Sequence, residues 1–257
     1  MANFIVSTDL LTYDASMDTG NEALYHPVTN IQLPKAPFRT WRSTTTGAQK
    51  IEMDFGAERS IAAIMLHHAN FAQFDVEKAP TSKTYVSIGS QGVNVPLVKD
   101  VRIGRRKAWV TVSATSTRYL RLTLENLVAG ETYFELGSVI ALGTTVTLGD
   151  NPSSPRKFGH RQAHTRLEFA GGGFEINEDG EPYLEYWVEN PLWDRRSGAT
   201  IQGQLFDILN AGMAAPIALY ENQGDATKCY LFGRLENPDF SEQYVTFETG
   251  IALREYV

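Results

Sequence analysis

The sequence has a single cysteine, Cys229, among 257 residues. One thiol cannot close an internal disulfide or build a thiolate metal cage, so neither framework holds this fold. Long apolar runs are absent too. The longest, Ile61 to Leu66, is far short of the ~20 residues a spanning helix needs, so no membrane insertion is expected. Residues Met1 to Leu10 have no basic segment and carry Asp9, so no secretory signal is expected there. Cations are in deficit: 23 Lys and Arg stand against 30 Asp and Glu, a net charge of −7. The deficit is local. Residues 1–143 hold 14 basic and 13 acidic side chains, and residues 144–257 hold 9 and 17. The acidic second half has no cation cluster to displace counterions from phosphates, so nucleic acid is not an expected partner.

Familiar catalytic patterns are missing as well. Of the five histidines, His67 and His68 are neighbours, so on a strand they face opposite sides and cannot share a metal. His160 and His164 have helical spacing but no glutamate beside them to complete a chelating His-Glu-x-x-His. There is no Gly-x-Ser-x-Gly elbow. Gly171 to Gly173 lack the Lys and Ser/Thr of a phosphate loop and read as a turn. Glu178 and Asp179 lie in a turn and read as solvated, and Cys229 reads as a buried structural thiol. The expectation is a chain that is not an enzyme and binds no metal or cofactor.

Alternating apolar and polar residues are plentiful. Lys50 to Phe55, Ile61 to Leu66, Thr84 to Ile88, Ala108 to Val112, Arg118 to Leu124 and Phe134 to Leu142 read as short strands. Leu120, Leu122 and Leu124 face inward, and Arg121 and Thr123 outward. No strong helix separates them, which predicts an antiparallel β-sandwich. Pro152 and Pro155, with the Gly, Asn and Ser around them, predict a linker over 149–157. An N-terminal arm (1–29) and the sandwich (30–148) precede it. An α+β unit (158–257) follows, with one helix over Gly198 to Gly212 that presents Ile201, Leu205, Ile208 and Leu209 on one face. The fold class expected is mainly β.

Two clusters could recognise a ligand. Pro37 to Ser43 carries Trp41 and Arg42, an aromatic face and a guanidinium fork suited to sugars. The competing reading has Trp41 as a core plug and Arg42 paired with an acid. Arg102, Arg105, Arg106 and Lys107 read as a charged hairpin tip, solvated or in contact with phosphate or lipopolysaccharide.

Trp41-Arg42-Ser43, then Ile51 to Gly56, Ile61 to Phe71, Arg118 to Leu122 and Phe134 to Val139 stand in an order that resembles the discoidin-type, galactose-binding-like jelly roll. Arg156 to Gly159, the helix at Ile201 to Leu209 and Ala215 to Tyr220 resemble the organisation of phage tail and baseplate proteins. The resemblance implies a virion structural protein of the distal tail, tail tip or baseplate. It would assemble in the host cytoplasm as a trimeric or hexameric ring with other tail proteins. The alternative is a carbohydrate-binding module that meets host surface polysaccharide through Trp41, Arg42, Arg105 and Arg106. A glycan-processing enzyme is a third reading, resting only on the acidic second half. The calcium loop of some galactose-binding-like domains is not identifiable.

Overall fold

The computed structural model describes residues 4–17, 20–32, 40–100, 104–148, 156–161, 164–168, 174–178, 183–188, 192–194, 207–208, 210, 216–221, 230–235, 240–242, 246–249 and 251–255. The chain is mainly β, and every described strand pair is antiparallel. Its first twelve strands are β1 (Phe4–Ser7), β2 (Leu10–Leu11), β3 (Asp14–Met17), β4 (Trp41–Arg42), β5 (Gln49–Ala69), β6 (Phe71–Ala79), β7 (Val86–Ser87), β8 (Val95–Pro96), β9 (Val98–Lys99), β10 (Arg106–Leu127), β11 (Glu135–Leu142) and β12 (Val146–Thr147).

Two long strands make the sandwich. The first part of β5 pairs with β3 and with the second part of β10, which also pairs with β6. The second part of β5 pairs with β11 and with the first part of β10. Each long strand therefore contributes to both layers. Period-two alternation turns Ile51, Met53, Leu120, Leu122 and Leu124 into the core, where they meet Ile64, Leu66, Phe74 and Val76. Each such side chain contributes about 1.5–3 kcal/mol by leaving water.

This corrects the expectation of separate strands at Lys50 to Phe55 and Ile61 to Leu66, and likewise at Ala108 to Val112 and Arg118 to Leu124. Gly56, at φ 71°, carries the chain through an exposed stretch while its N–H is held by Asp54 Oδ1 at 2.8 Å. Pairing then resumes at Arg59↔Thr117 with a shifted register, so the strand continues. Thr84 to Ile88 keeps only the exposed two-residue β7.

The later strands are β13 (Arg156–Arg161), β14 (His164–Glu168), β15 (Phe174–Glu178), β16 (Tyr183–Val188), β17 (Leu192–Asp194), β18 (Ile217–Glu221), β19 (Tyr230–Leu235), β20 (Phe240–Glu242), β21 (Thr246–Thr249) and β22 (Ile251–Glu255). A seven-stranded sheet runs β12-β1-β18-β19-β22-β16-β13. The segment read as an N-terminal arm thus gives β1 to this sheet, and gives β2 and β3 to the sandwich. A second core joins the two bodies: Ala63, Met65, Trp109, Ile140 and Leu142 meet Ala218. Trp109 also stacks on Tyr220 with ring centroids 5.5 Å apart.

His160 and His164 lie on strands β13 and β14, so the helical spacing read between them does not exist. Of the helix expected over 198–212, Asp207, Ile208 and Asn210 are helical, and Ile208 is buried. The linker expected over 149–157 is shorter than that, because Arg156 and Lys157 open β13, and Glu178, read as part of a turn, ends β15. The other residues of the expected helix, residues 149–155, Gly171 to Gly173, Asp179 and Cys229 lie outside the described residues.

Candidate functional site

Four pieces of chain converge at one end of the sandwich: β4, the end of β5, the 128–134 loop and the hairpin between β9 and β10. Glu135, the first residue of β11, is their meeting point. Its carboxylate is almost fully buried. Oε1 accepts the Thr40 hydroxyl at 2.8 Å and Arg42 Nε at 3.0 Å, with Arg42 Nη2 at 2.9 Å. Oε2 pairs with Arg105 Nη2 at 2.8 Å. Burial alone would raise the Glu135 pKa. The Thr40 hydroxyl and the two guanidiniums outweigh it and hold the group below the usual carboxylate range.

The two arginines are partly exposed. Arg42 also lies over the Tyr133 ring, 5.1 Å from its centroid, and Arg105 reaches Glu131 at 3.3 Å. Asn70 ties the loop down. Its Oδ1 accepts the Glu135 N–H at 2.7 Å, and its Nδ2 donates to the Tyr133 carbonyl at 2.8 Å and to Glu131 Oε2 at 3.2 Å.

Beside them His68 occupies a bulge near the end of β5, with φ at 61°, a backbone region that costs a β-carbon residue about 1 kcal/mol or more. Its Nδ1 is buried without a hydrogen bond. Burial depresses its pKa to about 4; His67, Arg105 and Lys107 push the same way, and Glu135 opposes. The imidazole is therefore neutral at physiological pH.

A turn is attached to β4 through its backbone. The Ala23 N–H donates to the Arg42 carbonyl at 2.9 Å, and Arg42 N–H donates to the His26 carbonyl at 3.3 Å. This fixes residues 23–26 against β4, and at the tip Leu24 and Tyr25 are 77% and 86% exposed. Tyr25 has φ at 67°.

The residues singled out in the sequence divide. Arg42 and Arg105 share Glu135. Trp41 does not join them: it is fully buried, and its indole N–H points at Met17 Sδ, 3.1 Å away. No face of the ring is open to a ligand, so Trp41 is a core residue and not a contact. Arg106 donates from Nη1 to the Leu97 carbonyl at 2.9 Å, along the β9–β10 edge. The hairpin tip is not simply solvated either, because Lys107 is buried against Asp100 at 3.1 Å. Arg102 lies outside the described residues.

Sequence reasoning missed Glu135, Asn70, Tyr133 and Tyr25. One signal existed: a glutamate inside the apolar run Phe134 to Leu142 has to be paired if it is buried. Among the described residues no group of three His, Cys, Asp or Glu is placed to hold a metal ion, and no helix is long and apolar enough to cross a membrane.

No family model matches the chain, and no curated protein matches it. Among solved structures it is similar to chitosan-binding module 1 of a chitosanase/glucanase from Paenibacillus sp. IK-5. The identity is 14%, over 56% of this chain and 100% of that one, with a TM-score of 0.41. It is also similar to CBM32-1 of a family 31 glycoside hydrolase from Clostridium perfringens, at 8% identity over 51% and 93% of the two chains and a TM-score of 0.41.

Proposed function

We propose that the chain is a non-catalytic binding module that takes a glycan at this end of the sandwich. The observation that carries the reading is two partly exposed guanidiniums fixed by one buried carboxylate, with the exposed Leu24–Tyr25 turn hydrogen-bonded to the Arg42 backbone. A sugar ring offers an apolar C–H face and a rim of hydroxyls. Tyr25 supplies a face to stack on, and Arg42 and Arg105 supply planar donors. Glu135 holds both forks before any ligand arrives, which reduces the ordering cost of binding.

The test is retention on a polysaccharide panel, followed by calorimetry on any sugar that binds. Tyr25→Ala is expected to weaken binding at least tenfold while leaving the melting temperature unchanged, since the side chain buries almost nothing in the fold. A folded protein that retains no glycan would sink the reading.

A second reading, a tail or baseplate component of a phage virion, would require a surface for self-assembly. The outermost strands of the seven-stranded sheet, β12 and β13, each keep an edge without a partner strand among the described residues. Such edges pair readily with a neighbouring chain in a closed assembly. Native mass measurement and electron microscopy decide it: a strictly monomeric protein counts against a ring.

A further inference from the structure

Lys107 and Asp100 form an ion pair of 3.1 Å with both side chains 3% exposed. Removing two charges from water is costly, and an apolar pair of similar volume is commonly as stable or more so. Stability alone therefore does not account for the charges, and their position suggests what does.

On one side of the pair lies the hairpin that carries Arg105. The Asp100 N–H donates to the Arg105 carbonyl at 2.8 Å, and the Gly104 N–H donates to the Asp100 carbonyl at 2.9 Å. β9 and β10 then align as Lys99↔Arg106 and Val98↔Lys107. Arg105 leaves this closed base and reaches Glu135 and Glu131. On the other side lies the bulge. The β5–β10 ladder jumps from Ala69↔Arg106 to Leu66↔Ala108, so His67 and His68 together face Lys107. That two-for-one step accompanies the left-handed backbone of His68. Both Arg105 and His68 are thus placed from the same residue.

We propose that the buried Asp100–Lys107 pair is the positioning element of the site, holding the Arg105 hairpin and the His68 bulge in one register. Two apolar side chains can slide against each other, whereas a salt bridge between buried groups has a set separation and direction. The inference rests on the binding-site reading above for its purpose, but not for its geometry.

The experiment uses the whole chain without ligand first. The Glu135 carboxyl is titrated by carbon NMR in the wild type and in an Asp100→Asn/Lys107→Met double variant. The double variant is expected to keep its melting temperature within a few degrees. Its Glu135 is expected to titrate at higher pH, because Arg105 is no longer held at that carboxylate. Affinity for whichever polysaccharide the wild type binds is expected to fall at least tenfold.

If the double variant does not fold, Asp100→Glu decides instead. It keeps both charges and changes only their spacing, and the same rise in the Glu135 titration is expected. A wild-type Glu135 titration in a folded variant overturns the proposal. A shifted titration in a protein that binds no polysaccharide at all supports the positioning of Arg105 and overturns the glycan reading alone.

Discussion

Replacing Glu135 by glutamine tests the centre of the site with one atom. The amide keeps an oxygen for Thr40 and Arg42, but it turns an N–H2 towards Arg105, donor against donor. Two hydrogen bonds, from Thr40 at 2.8 Å and Arg42 Nε at 3.0 Å, and two ion-pair contacts, at 2.9 and 2.8 Å, meet the carboxylate. Hydrogen bonds to charged groups contribute about 1.5–3 kcal/mol each. Two effects reduce the loss. The carboxylate no longer has to be desolvated, and the guanidiniums, 35% and 28% exposed, recover water when released. The expected cost is roughly 2 kcal/mol, and for a chain of this size that lowers the melting temperature by about 4–8 °C.

Scanning calorimetry at pH 7 reads it. The sign with pH is fixed by the direction of the Glu135 shift. A depressed carboxyl stabilises above its unfolded value and loses that stabilisation as pH falls through its folded value. The gap between wild type and variant must therefore close in acid. Equal melting temperatures at pH 7, or a gap that does not narrow as the pH is lowered, would refute the account of Glu135 as a paired charge.

Two further substitutions probe the bulge. His68 binds a proton less readily in the folded protein than in the unfolded chain, about 4 against an ordinary 6.5. Its contribution is therefore intact above pH 6.5 and is lost as pH falls towards 4, by about 3 kcal/mol. His68→Asn, which tolerates positive φ and does not titrate, is expected to flatten the denaturant midpoint across that window; an unchanged slope counts against the assignment. Gly137→Ala places a methyl 2.7 Å from His68 Cβ and 3.2 Å from the His67 carbonyl. Overpacking of that kind costs about 1–3 kcal/mol, and equilibrium unfolding checks it.

The core strands were legible because their signal is local. Ile51 and Met53, or Leu120, Leu122 and Leu124, announce an inward face within five residues. β6 was not legible as a strand. Asp75, Glu77 and Lys78 crowd it with charge, and it is placed by eight cross-strand pairs to β10, made far along the chain. The merging of strands across Gly56 was invisible for a similar reason: a glycine and a run of polar residues mark a break, and only the partner strand shows that pairing resumes.

At the site, the arginines were legible and their roles were not. Nothing near Arg105 in the sequence points to Glu135, and nothing near Lys107 says that Asp100 will draw it out of solvent. Trp41 shows the converse. Its residue type invites a ligand, but pairing of β4 with β11 turns the ring inward.

The placement of β1 has a consequence for synthesis. Its pairing partner on the interior side, β18, matches Ile5 to Tyr220. The ribosome releases β1 early and must translate roughly 200 further residues before that partner exists, which at about 5–20 residues per second is ten seconds or more. During that interval the first strand has only β12 as a native partner in its sheet, and that pairing joins Ile5 to Thr147. The sandwich can close in the meantime around β5, β10 and β11. The seven-stranded sheet is then a late, high-contact-order event, completed against the sandwich residues around Trp109. A chain arrested before β18 would hold the sandwich and a leading strand with one edge still open, the state in which this protein is most open to capture by another copy of itself.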